Sequence, residues 1–317
     1  MTNAIGGYLE LELRKGKHFH QDALRLNTGR NCFEYILRAR GYKHVWLPYY
    51  TCEVLLEPLH KLNISYSFYN IDNNLEPETL PSLNRDEAFL YTNYYGLKSA
   101  TLKPLSSHYG NQLIVDNAQA FFASPLPGID TFYTARKFFG VPDGAYLYTD
   151  ARLDIDLPQD ESFDRMSHLL KRIEYGAEFG FADYQQHEEA LCHQPIKKMS
   201  RLTESILENI DYKTVQLKRI ANFNILNDAL RDSNKFVLNL NDSVPMVYPY
   251  WSNKGTDIRR LLQQQHIYIA TYWPNVVNDN SLENLLKMQL LPIPIDQRYG
   301  KEDITRIITT IKECITN

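Results

Sequence analysis

Two neighbouring stretches of sequence decide the fold: residues 112–120 read QLIVDNAQA, and residues 129–149 read IDTFYTARKFFGVPDGAYLYT. Each begins with a short apolar, β-rich run, which is typical of a buried strand. The first run ends at Asp116, and the second is followed by Lys137. A turn and a further apolar run then return the chain to the sheet. An acid and an amine therefore follow two consecutive predicted strands.

Outward from these stretches, strand-like runs alternate with helical patterns over the first half of the chain. The predicted strands cover residues 43–48, 64–71, 88–94, 112–116, 129–133 and 145–149. The predicted helices between them cover residues 32–40, 52–62 and 101–108. This alternation predicts an α/β fold with a mainly parallel, doubly wound sheet. Ligands of such sheets bind at the carboxyl ends of the strands, where Asp116 and Lys137 are expected.

The second half of the chain has a different pattern of predicted secondary structure. Residues 162–230 carry helical spacing without strand signals, and Tyr212–Leu230 fits one long helix. Mixed structure returns afterwards. Its predicted strands cover residues 246–251 and 267–273, and its predicted helices cover residues 256–265 and 301–314. We therefore expect a large domain over residues 1–210, helical from about 160, and a small C-terminal α/β domain over residues 211–317.

Composition narrows the class of protein and its expected location. The 317 residues include 44% hydrophobic residues and carry a formal net charge of −4, with both signs interspersed. Such a balance argues against a nucleic-acid surface and against a polybasic membrane patch. The four cysteines are scattered, and the N-terminus does not resemble a signal peptide, so we expect reduced thiols and a cytoplasmic location.

A glycine turn precedes the first predicted helix. Thr28, Gly29 and Arg30 lie just before the helical run that starts at Cys32. The start of a helix presents free backbone N–H groups and the positive end of its dipole, so this turn could bind a phosphate. The alternative is an ordinary helix N-cap.

Asp116 and Lys137 each allow a chemical and a structural interpretation. A carboxylate at the end of a strand could pair with a protonated ring nitrogen, or it could only cap a turn. Lys137 stands beside Arg136, Phe138 and Phe139, and this partly apolar, cationic setting favours a neutral amine that attacks an aldehyde. The alternative for any loop lysine is a solvated surface position.

The order of these segments resembles the DegT/DnrJ/EryC1/StrS family of sugar aminotransferases, which use pyridoxal 5′-phosphate (PLP). The matching stretches are LNTGRNCFEYIL (26–37), VWLPYYTCEVLLEPL (45–59), LYTNYYG (90–96), LIVDNAQAF (113–121), FYTARKFFGVPDGAYLYT (132–149) and LLPIPIDQRYGKEDITRIITTIK (290–312). They span most of the chain, with the weakest likeness in the helical middle.

The resemblance implies a PLP-dependent transferase of fold type I, and a site for its cofactor. Lys137 would carry the cofactor and move the proton during transfer, and Asp116 would keep the pyridine nitrogen protonated. Gln119 would lie over the cofactor near its ring oxygen. The phosphate would be received by Thr28, Gly29 and Arg30, with a hydroxyl from Thr134 or Thr131. Tyr50 or Tyr94 would stack on the ring. Sites of this fold type lie between two subunits, so a homodimer is also implied.

The sequence departs from the family pattern near the lysine. The chain is short, the loop between Asp116 and Lys137 is compressed, and Phe132 stands where a serine is common five residues before the lysine. The phosphate contact must then come from Thr131, Thr134 or Arg136.

The resemblance also frames the expected reaction. It predicts transfer of an amino group from an amino-acid donor to a keto-sugar nucleotide or a related ketone. Arg298 could clamp a substrate carboxylate, or it could form a structural salt bridge before the last helix. One alternative is a PLP-fold protein that has lost catalysis and serves in binding or regulation. A nucleotide binder such as a glycosyltransferase is a further alternative, although no GxGxxG or DxD motif is evident.

Overall fold

A seven-stranded sheet organises the first half of the protein. The computed structural model describes residues 5–274 and 281–316. The strands of this sheet are β1 (Leu24–Leu26), β2 (His44–Pro48), β3 (Ser65–Tyr69), β4 (Glu87–Thr92), β5 (Leu113–Asp116), β6 (Asp130–Thr134) and β7 (Ala145–Tyr148). Their order is β1-β7-β6-β5-β4-β2-β3. The predicted α/β architecture is confirmed.

The strand directions bring several chain segments to one edge of the sheet. Strands β3, β2, β4, β5 and β6 are parallel, whereas β7 is antiparallel to both of its neighbours, β6 and β1. Because β1 therefore runs in the same direction as β6, it also ends at the carboxyl edge of the parallel strands. Helix α1 (Gly29–Arg40) follows β1 and starts at that edge. Residues after β5, after β6 and before α1 thus meet at one place.

Helices cover both faces of the sheet and join it to the C-terminal part. Those that follow α1 up to residue 230 are α2 (Leu56–Lys61), α3 (Leu102–Tyr109), α4 (Ser167–Tyr175), α5 (Phe181–Ala190), α6 (Arg201–Glu208) and α7 (Tyr212–Leu230). Buried side chains form one core on the face that holds Phe89 and Val115 and a second on the face that holds Leu90 and Ile114. Consecutive strand residues face opposite cores, which explains the almost continuous apolar runs of β4 and β5.

The C-terminal part folds around its own small sheet. Strands β8 (Val247–Trp251) and β9 (Leu290–Pro294) pair antiparallel and pack with α7 in a separate apolar cluster. The helices of this part are α8 (Gly255–Gln264), α9 (Leu282–Gln289) and α10 (Lys301–Thr316). The long helix Tyr212–Leu230 is confirmed with its predicted bounds. The boundary between two domains at residue 210 stays a prediction.

The predicted strand over residues 267–273 is wrong. The carbonyls of Ile269 and Ala270 accept hydrogen bonds from the Arg259 guanidinium, at 3.1 and 2.7 Å, instead of from a neighbouring strand. The partner of β8 is β9, a run with two prolines that reads poorly as a strand because proline cannot donate to the ladder.

Two buried histidines connect the N-terminal segment to Phe121 and to β7, the strand that follows the lysine loop. His20 Nε2 donates to the Phe121 carbonyl at 2.7 Å, and the Tyr148 hydroxyl lies 3.2 Å from Nδ1. His18 Nδ1 lies 2.7 Å from the Tyr146 hydroxyl. Burial lowers the pKa of both histidines to about 4, although the Phe121 carbonyl partly opposes this for His20. Both side chains are therefore neutral in the folded protein at neutral pH.

These lowered pKa values predict a loss of stability in mild acid. The unfolded chain binds protons near pH 6.5, whereas the folded chain binds them only near pH 4, so stability falls as the pH drops through this window. For His20 alone the expected loss in the free energy of unfolding between pH 7.5 and 4.5 is about 2 to 3 kcal/mol. Urea unfolding at both pH values tests this, with His20→Gln as the matched variant that keeps an Nε2 donor. An equal loss in the wild type and the variant would contradict the prediction.

Within residues 5–274 and 281–316, no helix combines the length and the apolar composition that a bilayer span requires.

Candidate active site

Asp116 is the last residue of β5, a central strand of the sheet. Its side chain is buried, and Oδ1 accepts a hydrogen bond from the Ala118 amide at 2.8 Å. Burial raises the pKa of Asp116, while the charge of Lys137 and the Ala118 amide oppose this increase. Asp116 ends β5, and Lys137 lies three residues after the end of β6, the parallel neighbour of β5, so both residues lie toward the carboxyl edge of the sheet.

Gln119 is fixed on one side only. Its side chain is 1% exposed, and Oε1 accepts a hydrogen bond from the Tyr95 amide at 2.9 Å. Tyr95 holds a positive φ of 57°, a conformation that non-glycine residues seldom adopt, and this turns its amide toward Gln119. Nε2 of Gln119 has no partner among the described residues. This buried amide donor can therefore accommodate an acceptor at this site.

The glycine turn lies beside the end of β6. Thr28 caps α1, since its hydroxyl oxygen accepts from the Asn31 amide at 3.2 Å. A Cβ added to Gly29 would lie 3.8 Å from the Phe132 ring and 3.9 Å from Cβ of Thr134. The first N–H groups of a helix have no acceptor within it. The backbone donors of the turn and the Thr134 hydroxyl therefore lie close together.

Other predicted phosphate ligands have partners elsewhere. The Arg30 guanidinium is buried and pairs with the Glu57 carboxylate at 2.5 Å. The Thr131 hydroxyl donates to the Ile129 carbonyl at 3.1 Å. Arg136 pairs with Glu188 of α5. These contacts leave the backbone amides at the start of α1 and Thr134 as the donors that best fit a phosphate.

The turn after the lysine loop is held by a buried carboxylate. Asp143 is fully buried and accepts hydrogen bonds from the Ser200 amide and hydroxyl, at 2.8 and 2.6 Å, and from the Thr203 hydroxyl. Gly144 has a φ of +112°, and a Cβ there would lie 2.9 Å from Thr203 Cγ2. Its carbonyl accepts from the Ala135 amide at 3.0 Å. The exposed Lys137 thus extends from a firmly anchored loop.

The two tyrosines proposed for stacking lie in one buried aromatic cluster. Tyr50 and Tyr94 are at most 1% exposed, and the Tyr94 hydroxyl donates to the Tyr50 carbonyl at 2.7 Å. Trp273 and Tyr50 pack in a T-shaped arrangement, with ring centroids 4.7 Å apart. A stacking role for either tyrosine stays a prediction.

Arg298 makes the salt bridge that the sequence offered as its alternative. Its Nε and Nη2 donate to the two carboxylate oxygens of Asp296, at 2.7 and 2.9 Å. The guanidinium carbon lies 5.2 Å from the centre of the Tyr299 ring. Half of the Arg298 side chain is exposed, and three of its five N–H donors are not used by Asp296.

Sequence reasoning missed the partners that restrain these side chains. Glu57 pairs with Arg30, Glu188 with Arg136, and the Tyr95 amide with Gln119. Each pair joins residues that are distant in sequence, and no local motif marks them.

Comparison with solved structures identifies the fold. One match, over 92% of this chain and 85% of the other, is a DegT DnrJ EryC1 StrS aminotransferase from Brucella abortus, with a TM-score of 0.60 and 14% identity. Another is DesV from S. venezuelae, in complex with a ketimine intermediate, with a TM-score of 0.64, 15% identity and coverages of 92% and 84%. DesI, solved with its TDP-sugar product, gives a TM-score of 0.64, 16% identity and coverages of 93% and 81%.

The chain therefore has the fold of these aminotransferase structures, fold type I. The resemblance predicted from the sequence is confirmed at the level of the fold. No protein-family model matches the chain, and a comparison with curated proteins finds no match.

Proposed function

We propose that this protein is a PLP-dependent aminotransferase. The observation that supports the proposal is that β5, which ends at Asp116, and β6, which precedes Lys137, end at the edge of the sheet where α1 starts. The solved structures that share the fold include aminotransferases, which supports the same chemistry.

The described residues fit the cofactor. The unpartnered Gln119 Nε2 is a donor for the ring oxygen, and the start of α1 with Thr134 offers donors for the phosphate. Burial disfavours the charged form of Asp116, so a protonated pyridine nitrogen would supply the counter-charge that this carboxylate needs.

Each side chain then has a defined task. The cofactor supplies the electron sink that stabilises negative charge on a substrate carbon. Lys137 would provide the amine that holds the cofactor, and would accept and return the proton as general base and acid. Asp116 would pair with the protonated ring nitrogen. Asp143 and Gly144 keep the lysine loop in place through the Ser200, Thr203 and Ala135 contacts.

We propose an amino acid as the donor and a keto-sugar nucleotide or related ketone as the acceptor. The structure of DesI with a TDP-sugar product supports this class, because DesI shares the fold. Arg298 could take part in substrate binding only with the N–H donors that its two bonds to Asp296 leave free.

We also propose a cytoplasmic homodimer, with a large domain over residues 1–210 and a small domain over 211–317. Large apolar side chains of the α4–α5 region are exposed, and a second subunit would cover them; they are Phe163, Leu170, Ile173, Tyr175, Phe179, Phe181 and Tyr184.

The free thiols of all four cysteines support a reducing compartment.

A half-reaction with glutamate tests the proposal. We expect the purified protein with PLP to show an absorbance band that glutamate shifts, with release of one 2-oxoglutarate for each bound cofactor, because the donor leaves its amino group behind. Stopped-flow absorbance and product analysis measure this. A protein that binds PLP but never responds to any amino acid would contradict the enzyme and favour an inert binder. A protein that ignores PLP would contradict both.

A further inference from the structure

Arg219 is a buried cation on the inner face of α7. Its side chain is 1% exposed, and all of its hydrogen-bond acceptors among the described residues are backbone carbonyl oxygens. Burial lowers the pKa of Arg219 to about 10, partly opposed by Asp296, so it is still charged at neutral pH. A buried charge without a direct acidic partner is costly, and a hydrophobic side chain of similar size would avoid that cost. This arginine therefore calls for a role beyond filling space.

The contacts of Arg219 reach the residue that follows the proposed catalytic lysine. Nη2 donates to the Phe138 carbonyl at 3.4 Å, and the guanidinium carbon lies 4.6 Å from the centre of the Phe138 ring. Nη1 donates to the Met246 carbonyl at 2.9 Å, just before β8. A single side chain thus joins the lysine loop to the start of the small sheet.

Gln297 contacts the same carbonyl from a different direction. Its Nε2 donates to the Phe138 oxygen at 2.8 Å. The segment that carries Gln297 is held by Asn222, three residues after Arg219 on α7, which donates to the carbonyls of Ile295 and Tyr299, both at 3.1 Å. Two donors from two elements therefore fix the peptide group between Phe138 and Phe139, one residue beyond Lys137, and both depend on α7.

We propose that Arg219 and Gln297 are positioning residues that hold Lys137 in its reactive place through the carbonyl and ring of Phe138. Correct placement of the amine then depends on how the C-terminal part is seated against α7. The proposal rests on the proposed function, because it assumes that the Lys137 amine is the one that reacts with the cofactor aldehyde. We call the contacts of Arg219 and Gln297 with Phe138 the clamp. Because a small displacement of a reacting group lowers the reaction rate by a large factor, loss of the clamp should have a measurable effect on that rate.

The test removes each donor and measures the lysine. Arg219→Met and Gln297→Leu are compared with Lys218→Met, an exposed charge on the same helix, and with Ile64→Ala, a core substitution before β3 in the cluster that does not contain Phe138. The first readout is the rate at which PLP forms the covalent adduct that borohydride fixes. The second is amide hydrogen exchange of the peptide over residues 135–144 in the PLP-free protein.

We expect Arg219→Met and Gln297→Leu each to slow adduct formation by about tenfold or more and to speed exchange in that peptide. Lys218→Met should match the wild type, and Ile64→Ala should lower the melting temperature with little change in adduct rate. A folded Arg219→Met and a folded Gln297→Leu that both form the adduct at the wild-type rate would overturn the positioning role alone. If Arg219→Met does not fold, Gln297→Leu decides. A wild-type protein that forms no adduct contradicts the proposed function itself.

Discussion

Lys137→Ala is expected to abolish the covalent PLP adduct and to lower the rate of amino transfer by roughly a thousandfold or more. The substitution removes the amine that attaches to the cofactor and the base that moves the proton, and general acid–base catalysis by one side chain contributes about 10²- to 10⁴-fold. PLP should still bind, since the start of α1, Thr134 and Asp116 remain. Absorbance with and without borohydride, together with the steady-state rate, measures both effects.

A matched control separates this effect from the loss of a surface charge. Lys103 is exposed on α3, and Lys103→Ala should keep both the adduct and the rate. Retention of a borohydride-stable adduct in Lys137→Ala would show that another amine carries the cofactor.

Asp116→Asn is expected to separate stability from catalysis. The amide keeps the shape of the side chain and an oxygen that accepts from Ala118, but it removes the charge that pairs with the ring nitrogen. We therefore expect the adduct to form and the rate to fall by about a hundredfold or more, the effect of removing one preorganised electrostatic contact. Because burial raises the pKa of Asp116, the carboxylate is unfavourable in the folded PLP-free protein, and the variant should be more stable at neutral pH.

Urea unfolding of the PLP-free proteins and the half-reaction with glutamate measure the two quantities. Asp86→Asn, an exposed aspartate, is the control and should change neither. An Asp116→Asn enzyme with the wild-type rate would mean that the carboxylate does not contact the ring, and a less stable PLP-free variant would mean that its charge is compensated in the fold.

The parallel strands could be predicted because strands that are buried on both faces have continuously apolar local sequences. β4 and β5 lie between two apolar cores, so their runs are apolar throughout. β1 has only three residues, and β9 contains two prolines, so neither gives a recognisable run. Residues 267–273 show the opposite error. Their apolar run predicts a strand, but they form an irregular segment whose carbonyls accept hydrogen bonds from Arg259.

For the site, the residues that follow strands were predictable and their partners were not. Asp116 ends β5 and Lys137 lies three residues after β6, and these parallel strands end at the same edge of the sheet, so the topology brings both residues to that edge. The ion pair between Arg30 and Glu57 depends on how α1 packs against α2. The residue spacing within either segment does not reveal this packing. The clamp on Phe138 is harder still, because Arg219 and Gln297 lie 81 and 159 residues from it in sequence.

The most direct test of this account is the mass of the peptide that contains Lys137 after PLP and borohydride treatment of the wild-type protein. Reduction fixes the cofactor to whichever amine has reacted with its aldehyde. The account predicts one pyridoxyl-phosphate group per chain, located on Lys137. A modified group on a different lysine, or an unmodified chain at saturating PLP, would contradict it.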